Sequence, residues 1–487
     1  MQFDDIKFIK NDKIDFEKNA IEQLRSFLAI ENTIEQIAAA DPNFFDADSP
    51  EISQVAITPD FHRGESIPIG TVLLTNGFVI PQAMGSDINC GMRLYTTDLS
   101  FDKIEANLIA LEDKIRYVFF EGGRDISMNR VQRKAMLREG LIGVLDTYSN
   151  AKGSGLWRYY DAGREERDIN HISENGAYIT DCVIGLDSFL GGESLTHDAQ
   201  IGTIGGGNHF VEIQRVSRLY DTKTANAWGL ETDQAVIMIH SGSLMIGQSC
   251  NFLMREALNK IYPQTIQKPE NGVYPLPQSE KYKEAWNEFW VLMSNAANFA
   301  FANRLFIGLM IKRIFLEVFG NCEFSLLYDA PHNLIWPHEG KFLHRKWACP
   351  ARGFDQMANT EFGYYGEPVL IPGSMGSSSF ILRGLGNQDS LYSASHGAGR
   401  KLSRGKAIKE DPVKFEEFIK QFRVITPIDP KRPDIAGRPD ILKKWEENIK
   451  SEAPYAYKEI SDVIEAQTEN QVAAIVAEVK PILTIKN

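Results

Sequence analysis

Cysteine is scarce in this chain: Cys90, Cys182, Cys250, Cys322 and Cys349 are the only five among 487 residues. Few, odd in number and widely spaced, they do not describe a disulfide framework, and a reducing cytoplasm is the expected setting. Long uncharged apolar runs are also missing. The most apolar stretch, 299–319, is broken by Asn303, Arg304, Lys312 and Arg313, so it reads as a buried amphipathic helix and no membrane association is expected. Positive charge is in deficit as well, with 52 Lys and Arg against 65 Asp and Glu and a formal net charge of −13. Phosphate neutralisation needs Lys and Arg facing the backbone, so affinity for nucleic acid through bulk charge is excluded and any such site must be a local basic patch. The stretch 1–13 is mixed and charged, which is not the pattern of a secretory or import leader.

What is present is enough to build a large core, since 43% of the residues are hydrophobic. Helical spacing of Ile21, Leu24, Phe27 and Leu28 predicts a helix over 16–30, with a second over 33–40. From 55 to 97 short apolar runs alternate with Gly, Pro and Asp, as strands and tight loops do. Helical patterns return over 101–153, 246–262 and 279–319, the last rich in aromatic residues and read as core scaffolding. The segment 153–196 is polar and irregular and reads as surface, and His171 within it and His197 just after it are assigned no role.

Chemistry concentrates in a few short stretches. In 202–213, GTIGGGNHFVEI, three consecutive glycines let a ligand approach the backbone, and His209 stands at the edge of a strand beginning at Phe210. A glycine-rich turn with an incidental histidine is the plain alternative. Asp87 and Cys90 lie three apart in GSDINCGM, where carboxylate and thiolate on one loop suit a divalent transition metal. Cys90 taken alone reads more simply as a small buried hydrophobe. The strand AVIMIHSGS ends in His240, and FSLLYDAPHN ends in His332 beside Asn333. Three strand-end histidines with one Cys and one Asp make a set of five N, S and O donors. His62, in PDFHRG, reads either as a surface-loop residue or as a substrate contact.

Other stretches point to phosphate. Arg345, Lys346 and Arg352 cluster in FLHRKWACPARG as a candidate phosphate-contacting face or a solvated edge strand. The loop of PVLIPGSMGSSSF, with Gly373, Ser374 and Ser379, offers N–H and hydroxyl groups to a nucleotide, or is a plain hairpin loop. In SHGAGRKLSR, small residues leave His396 accessible, and Arg400, Lys401 and Arg404 add charge beside it. A histidine so placed can attack phosphorus and be held as a phosphoramidate. Lys486, one residue from the end, reads by position alone as frayed and without a role.

Taken in order, TPDFH, DINCG, GGGNHF, HSGS, PHN, LIPGSMG, HGAGR and a final KP…IK resemble the motifs of RtcB-type RNA-splicing ligases over about 58–487. The resemblance implies an α+β fold in which mixed and antiparallel sheets form a central site flanked by helices. It divides the chain into an N-terminal helical extension at 1–54 and a catalytic domain at 55–487, with helical insertions at about 101–150 and 246–319. It implies two manganese ions, with Cys90 bridging, Asp87 and His209 on one ion, and His240 and His332 on the other. His396 matches the histidine that becomes guanylylated by GTP. Asn208, His209, Phe210, Val211, Glu212, His332, Asn333, Pro372, Gly373, Ser374, Met375, Ser379, His396, Gly397, Ala398, Gly399 and Lys486 match positions that hold the guanine nucleotide. Arg345, Lys346, Arg400 and Arg404 are the basic residues expected to meet RNA phosphate. The implied activity joins an RNA 3′-phosphate or 2′,3′-cyclic phosphate end to a 5′-hydroxyl end, in tRNA splicing or RNA repair, by a monomer with room for an accessory activator. One departure stands out: the serine of HSGS is normally followed by an arginine, and here Leu244 follows. The alternative is a divergent paralogue that guanylylates or hydrolyses phosphate esters without efficient RNA joining. Trp347 and Cys349, after the HRK, have no counterpart in this reading.

Overall fold

In the computed structural model, which describes residues 3–410 and 412–487, runs of β-branched and aromatic residues bounded by Gly, Pro and Asp build two main sheets. The larger has eight strands, in the order Phe324–Pro331, Gly91–Ser100, Gln234–Ser241, Phe210–Leu219, Ala473–Ile485, Ser379–Gly384 and Pro368–Ile371, with Val424–Ile425 also paired to Ala473–Ile485. Only the Val424–Ile425 pairing is parallel. The second sheet runs Lys7–Phe8, Glu51–His62, Ile69–Asn76, Lys341–Lys346 and Asn333–His338. Helices pack around these sheets, so the class is α+β, as expected.

Strand alternation decides what this architecture does. In an antiparallel sheet the end of one strand lies beside the start of the next. Pro331 pairs with Gly91, Gly91 with Ser241, and His240 with Phe210. Cys90 precedes its strand, His240 sits near the end of its own, His209 precedes a third and His332 follows a fourth. All four therefore emerge at one edge of the sheet. Ile485 pairs with Val211, which brings Lys486 to that edge too.

Helix Lys283–Phe319 backs the site and buries Phe289, Phe299, Phe301, Phe306 and Phe315. Its polar interruptions are functional parts of the scaffold. Arg304, fully buried, donates to both carboxylate oxygens of Asp329 and to the carbonyls of Asn89 and Ser241. Asn303 accepts from the Gly202 N–H and donates to the Thr203 carbonyl and Ser241 Oγ. Arg304 and Asn303 are thus satisfied although buried, and they pin the loops that carry the donor residues. Among the described residues no helix is long and apolar enough to cross a membrane.

Two stretches differ from expectation. The segment 153–196 is not simply surface: Leu156 and Trp157 are buried, with the indole edge-on to Phe306 and its N–H donated to the Ser127 carbonyl. Short helical turns without sustained periodicity hid this packing from the sequence. Within 1–54 two helices form, at Lys18–Leu28 and Ile30–Ala40 where 16–30 and 33–40 were expected, but Lys7–Phe8 pairs with Ala56–Ile57 and the second strand of that sheet already begins at Glu51.

Candidate active site

The sheet edge gathers the five donor residues into one cluster, buried except for the part-exposed Asp87. Cys90 Sγ lies 3.1 Å from His209 Nε2 and 3.3 Å from His240 Nε2, and His240 Nε2 lies 3.3 Å from His332 Nε2. Asp87 Oδ2 is 2.9 Å from His209 Nε2. The donors form two overlapping groups, Asp87–Cys90–His209 and Cys90–His240–His332, with the atoms of each within 4.8 Å of one another. Cys90 belongs to both. Burial, with the neighbouring imidazoles, holds His240 and His332 well below the usual histidine range, so both are neutral and offer lone pairs. Burial and the Asp87 charge push the Cys90 thiol up. Lone pairs of N and S facing one another at about 3 Å suit a pair of cations, which would also favour the thiolate. Asp87 is aimed by the start of helix Leu244–Ile261: its Oδ1 accepts from the Ser243 N–H at 3.0 Å and the Leu244 N–H at 3.4 Å, leaving Oδ2 toward His209.

Beside the cluster stands His396, just past the short strand Ser393–Ser395. Its ring centroid is 5.1 Å from that of His332. Its Nδ1 is 2.6 Å from Asp60 Oδ2, and Asp60 is fully buried. Burial alone would raise the Asp60 carboxyl, but the His396 hydrogen bond and charge, helped by the Thr58 hydroxyl, hold it below its usual range. An ionised Asp60 accepts from Nδ1–H, which fixes the tautomer and leaves the Nε2 lone pair free to act as nucleophile.

A cavity of about 420 Å³ opens over both features. Asn208, Phe210, Glu212, Asn333, Pro372, Gly373, Ser374, Met375, Gly397, Ala398, Gly399 and Lys486 border it, so most of the residues matched to nucleotide positions converge. Val211 and Ser379 do not border it, nor do His209 and His332, which lie in the donor cluster. Ser379 instead accepts from the Gly373 N–H at 3.0 Å and from Gln214 at 3.0 Å, bracing the loop. Lys486 is not frayed: it is 2% exposed, its ammonium donates to the carbonyls of Gly207 and His209, and burial pushes it down to about 8. Glu212 beside it is pushed up to about 7 by burial, against hydrogen bonds from Thr484 and Gln214.

The basic residues do not form one face. Alternation along Lys341–Lys346 sends successive side chains to opposite sides. Lys346 reaches the cavity, whereas Arg345 is buried away from it, bonded to Ser393 Oγ at 2.8 Å and lying over the Trp336 ring. That corrects the expectation of Arg345 as a phosphate contact. Arg352 pairs with Glu367 at 2.9 Å. Arg400 and Arg404 both border the cavity and both pair with Glu452. His62, which the sequence left open, is 7% exposed, borders the cavity and donates its Nδ1–H to the Asp60 carbonyl at 2.7 Å. Sequence reasoning missed Asp60, Glu452 and Trp347. Asp60 lay within the quoted TPDFH, but nothing local indicates that its carboxylate meets a residue 336 positions away.

Fold and site together define an α+β protein with a paired, metal-type donor cluster facing an oriented histidine at the mouth of a cavity. The chain matches the family model described as tRNA-splicing ligase RtcB over residues 47–487. It is 32% identical to the tRNA-splicing ligase RtcB of Nanoarchaeum equitans over 89% of this chain and 88% of that one. It is 31% identical to its counterpart of the same description in Thermococcus kodakarensis, over 98% and 95% of the two chains. The RNA-splicing ligase RtcB of Mycobacterium tuberculosis is 31% identical over 88% and 95%. The chain belongs to the RtcB family.

Proposed function

We propose that this protein is an RNA ligase that uses GTP to join a 3′-phosphate or 2′,3′-cyclic phosphate end to a 5′-hydroxyl end through a histidine–GMP intermediate. One observation carries the reading: the His396 imidazole, aligned by Asp60, stands 5.1 Å from His332 of the donor cluster. Asp87, Cys90 and His209 would hold one manganese ion, and Cys90, His240 and His332 a second. When bound, such ions polarise phosphoryl oxygens and offset developing negative charge.

The chain's own residues supply the rest. With Nδ1–H directed at Asp60, His396 Nε2 attacks the α-phosphorus of GTP, and pyrophosphate leaves. Lys486, Asn208 and the 372–375 loop hold the nucleotide against the cavity wall, and Gly397 to Gly399 let it approach the backbone closely. A 2′,3′-cyclic end is first opened by water to the 3′-phosphate. GMP then passes from His396 to the RNA 3′-phosphate, and the 5′-hydroxyl attacks that activated phosphate and expels GMP. Lys346, Arg400 and Arg404 border the cavity and are among the cations available to RNA phosphate.

Incubation with labelled GTP and Mn²⁺ tests the reading: wild-type protein should carry covalent GMP and His396→Ala should carry none. Absence of label on wild type, or full label on the variant, defeats it. A second reading is favoured by Leu244, which puts an apolar side chain where the family resemblance leads one to expect a cation. In it the protein forms the GMP adduct but joins RNA poorly. Ligation of a nicked stem-loop at the rate of adduct formation would rule that out.

A further inference from the structure

Trp347 links strands Lys341–Lys346 and Ala348–Pro350 with φ of 56°, a left-handed conformation that glycine takes freely and a bulky L residue rarely adopts. The kink is clamped on both sides. The Trp347 N–H donates to Asn333 Oδ1 at 2.8 Å, and the next N–H, of Ala348, donates to the His332 carbonyl at 3.0 Å. A strained residue held this firmly calls for a reason in what its side chain does.

The strand register supplies one. Ala348 pairs with Ser395 in an antiparallel bridge, so Trp347 and His396 are cross-strand neighbours. The indole lies 4.8 Å from the His396 ring, tilted by 59°, and stacks on His332 at 5.1 Å and 24°. His332 and His396 are themselves 5.1 Å apart, so the three rings form a nearly equilateral triangle. The indole is half-buried and borders the cavity. A glycine would satisfy the backbone at lower cost but would leave one flank of His396 open.

We propose that Trp347 is a positioning residue for guanylyl transfer: its indole fixes the His396 ring relative to His332 and keeps water off one flank of the His396–phosphorus bond. This rests on the function proposed above. In the productive step the Nε2 lone pair forms a bond to the α-phosphorus while the phosphorus–oxygen bond to pyrophosphate breaks, and pyrophosphate leaves with that electron pair. In the wasteful step a water oxygen bonds to phosphorus, the phosphorus–nitrogen bond breaks with its electron pair returning to Nε2, the water proton passes to solvent and GMP is lost. An aromatic ring filling the adjacent volume slows the second step without taking part in the first.

The test compares wild type, Trp347→Gly and Trp347→Phe. Each is labelled with GTP and Mn²⁺, freed of nucleotide, and followed without RNA for decay of the covalent adduct, with melting temperature recorded in parallel. The adduct of Trp347→Gly should decay at least tenfold faster at an unchanged or higher melting temperature, because glycine relieves the left-handed backbone; Trp347→Phe should recover most of the lifetime. Should the glycine variant not fold, Trp347→Ala carries the same expectation. Equal lifetimes in labelled wild type and variants overturn the inference, and so does an unchanged lifetime with a lowered melting temperature, which would assign the ring to the fold alone. A wild type that takes no label sinks the proposed function instead.

Discussion

Asp60 Oδ2 lies 2.6 Å from His396 Nδ1, with both residues buried and 336 positions apart in the chain. An acceptor at that position selects the Nδ1–H tautomer, and an amide in its place can turn its NH₂ toward the ring and select the other. Asp60→Asn should therefore lower the rate of GMP labelling by roughly a hundredfold or more while leaving the fold intact. Labelling kinetics read beside a circular-dichroism melt check it, and labelling within threefold of wild type would remove Asp60 from the mechanism.

Cys90 belongs to both donor groups and His332 to one. Calorimetric titration with Mn²⁺ should give two ions per wild-type chain. His332→Ala should weaken one of the two steps and Cys90→Ala both, each by more than about a hundredfold, since even groups outside the ligand set change metal affinity by 10–100-fold. Two intact binding steps in Cys90→Ala would contradict a shared thiolate.

Glu212 is pushed up to about 7 from an ordinary 4.5, first by burial. Between those values the folded protein holds a proton that the unfolded chain has released. The stability this group contributes is therefore complete below about pH 4.5 and is lost as pH rises through 7, by at most about 3 kcal/mol. Glu212→Gln removes the titration, so relative to wild type the variant should gain stability between pH 5 and pH 8. Urea unfolding at the two pH values measures this, and an identical difference at both would show that Glu212 does not titrate in that window.

Leu244 is the first residue of its helix, with φ of 51° and its side chain half-buried against the glycine loop near Gly205. Leu244→Arg restores a cation at the start of that helix at no new backbone cost. RNA with a 3′-phosphate end should bind about three- to tenfold more tightly, the salt slope should steepen by about one, and GMP labelling should stay unchanged. Fluorescence anisotropy across a salt series decides it, and an unaltered slope would place Leu244 away from the RNA path.

Much of this site was readable along the chain. Strand-end positions of His240 and His332, the glycines before His209 and the Asp87–Cys90 spacing are local features, because alternation and turn chemistry act over a few residues. Arg345 shows the limit of such local features: its neighbours are basic, but the pleat sends it inward against Ser393 and Trp336. Lys486 by position alone looked like a frayed terminus, until the pairing of Ile485 with Val211 brought it beneath Gly207.

By itself the sequence determined the inventory: which segments become strands and helices, which side chains carry donors, and where the backbone is free of side chains. Only the tertiary structure decided that four strand termini share one sheet edge, that Asp60 faces His396, and that Trp347 is bent left-handed into the space between His332 and His396. Periodicity and turn propensity are set by near neighbours, whereas convergence depends on strand order and register, which are fixed only when distant segments pair and bury a common core.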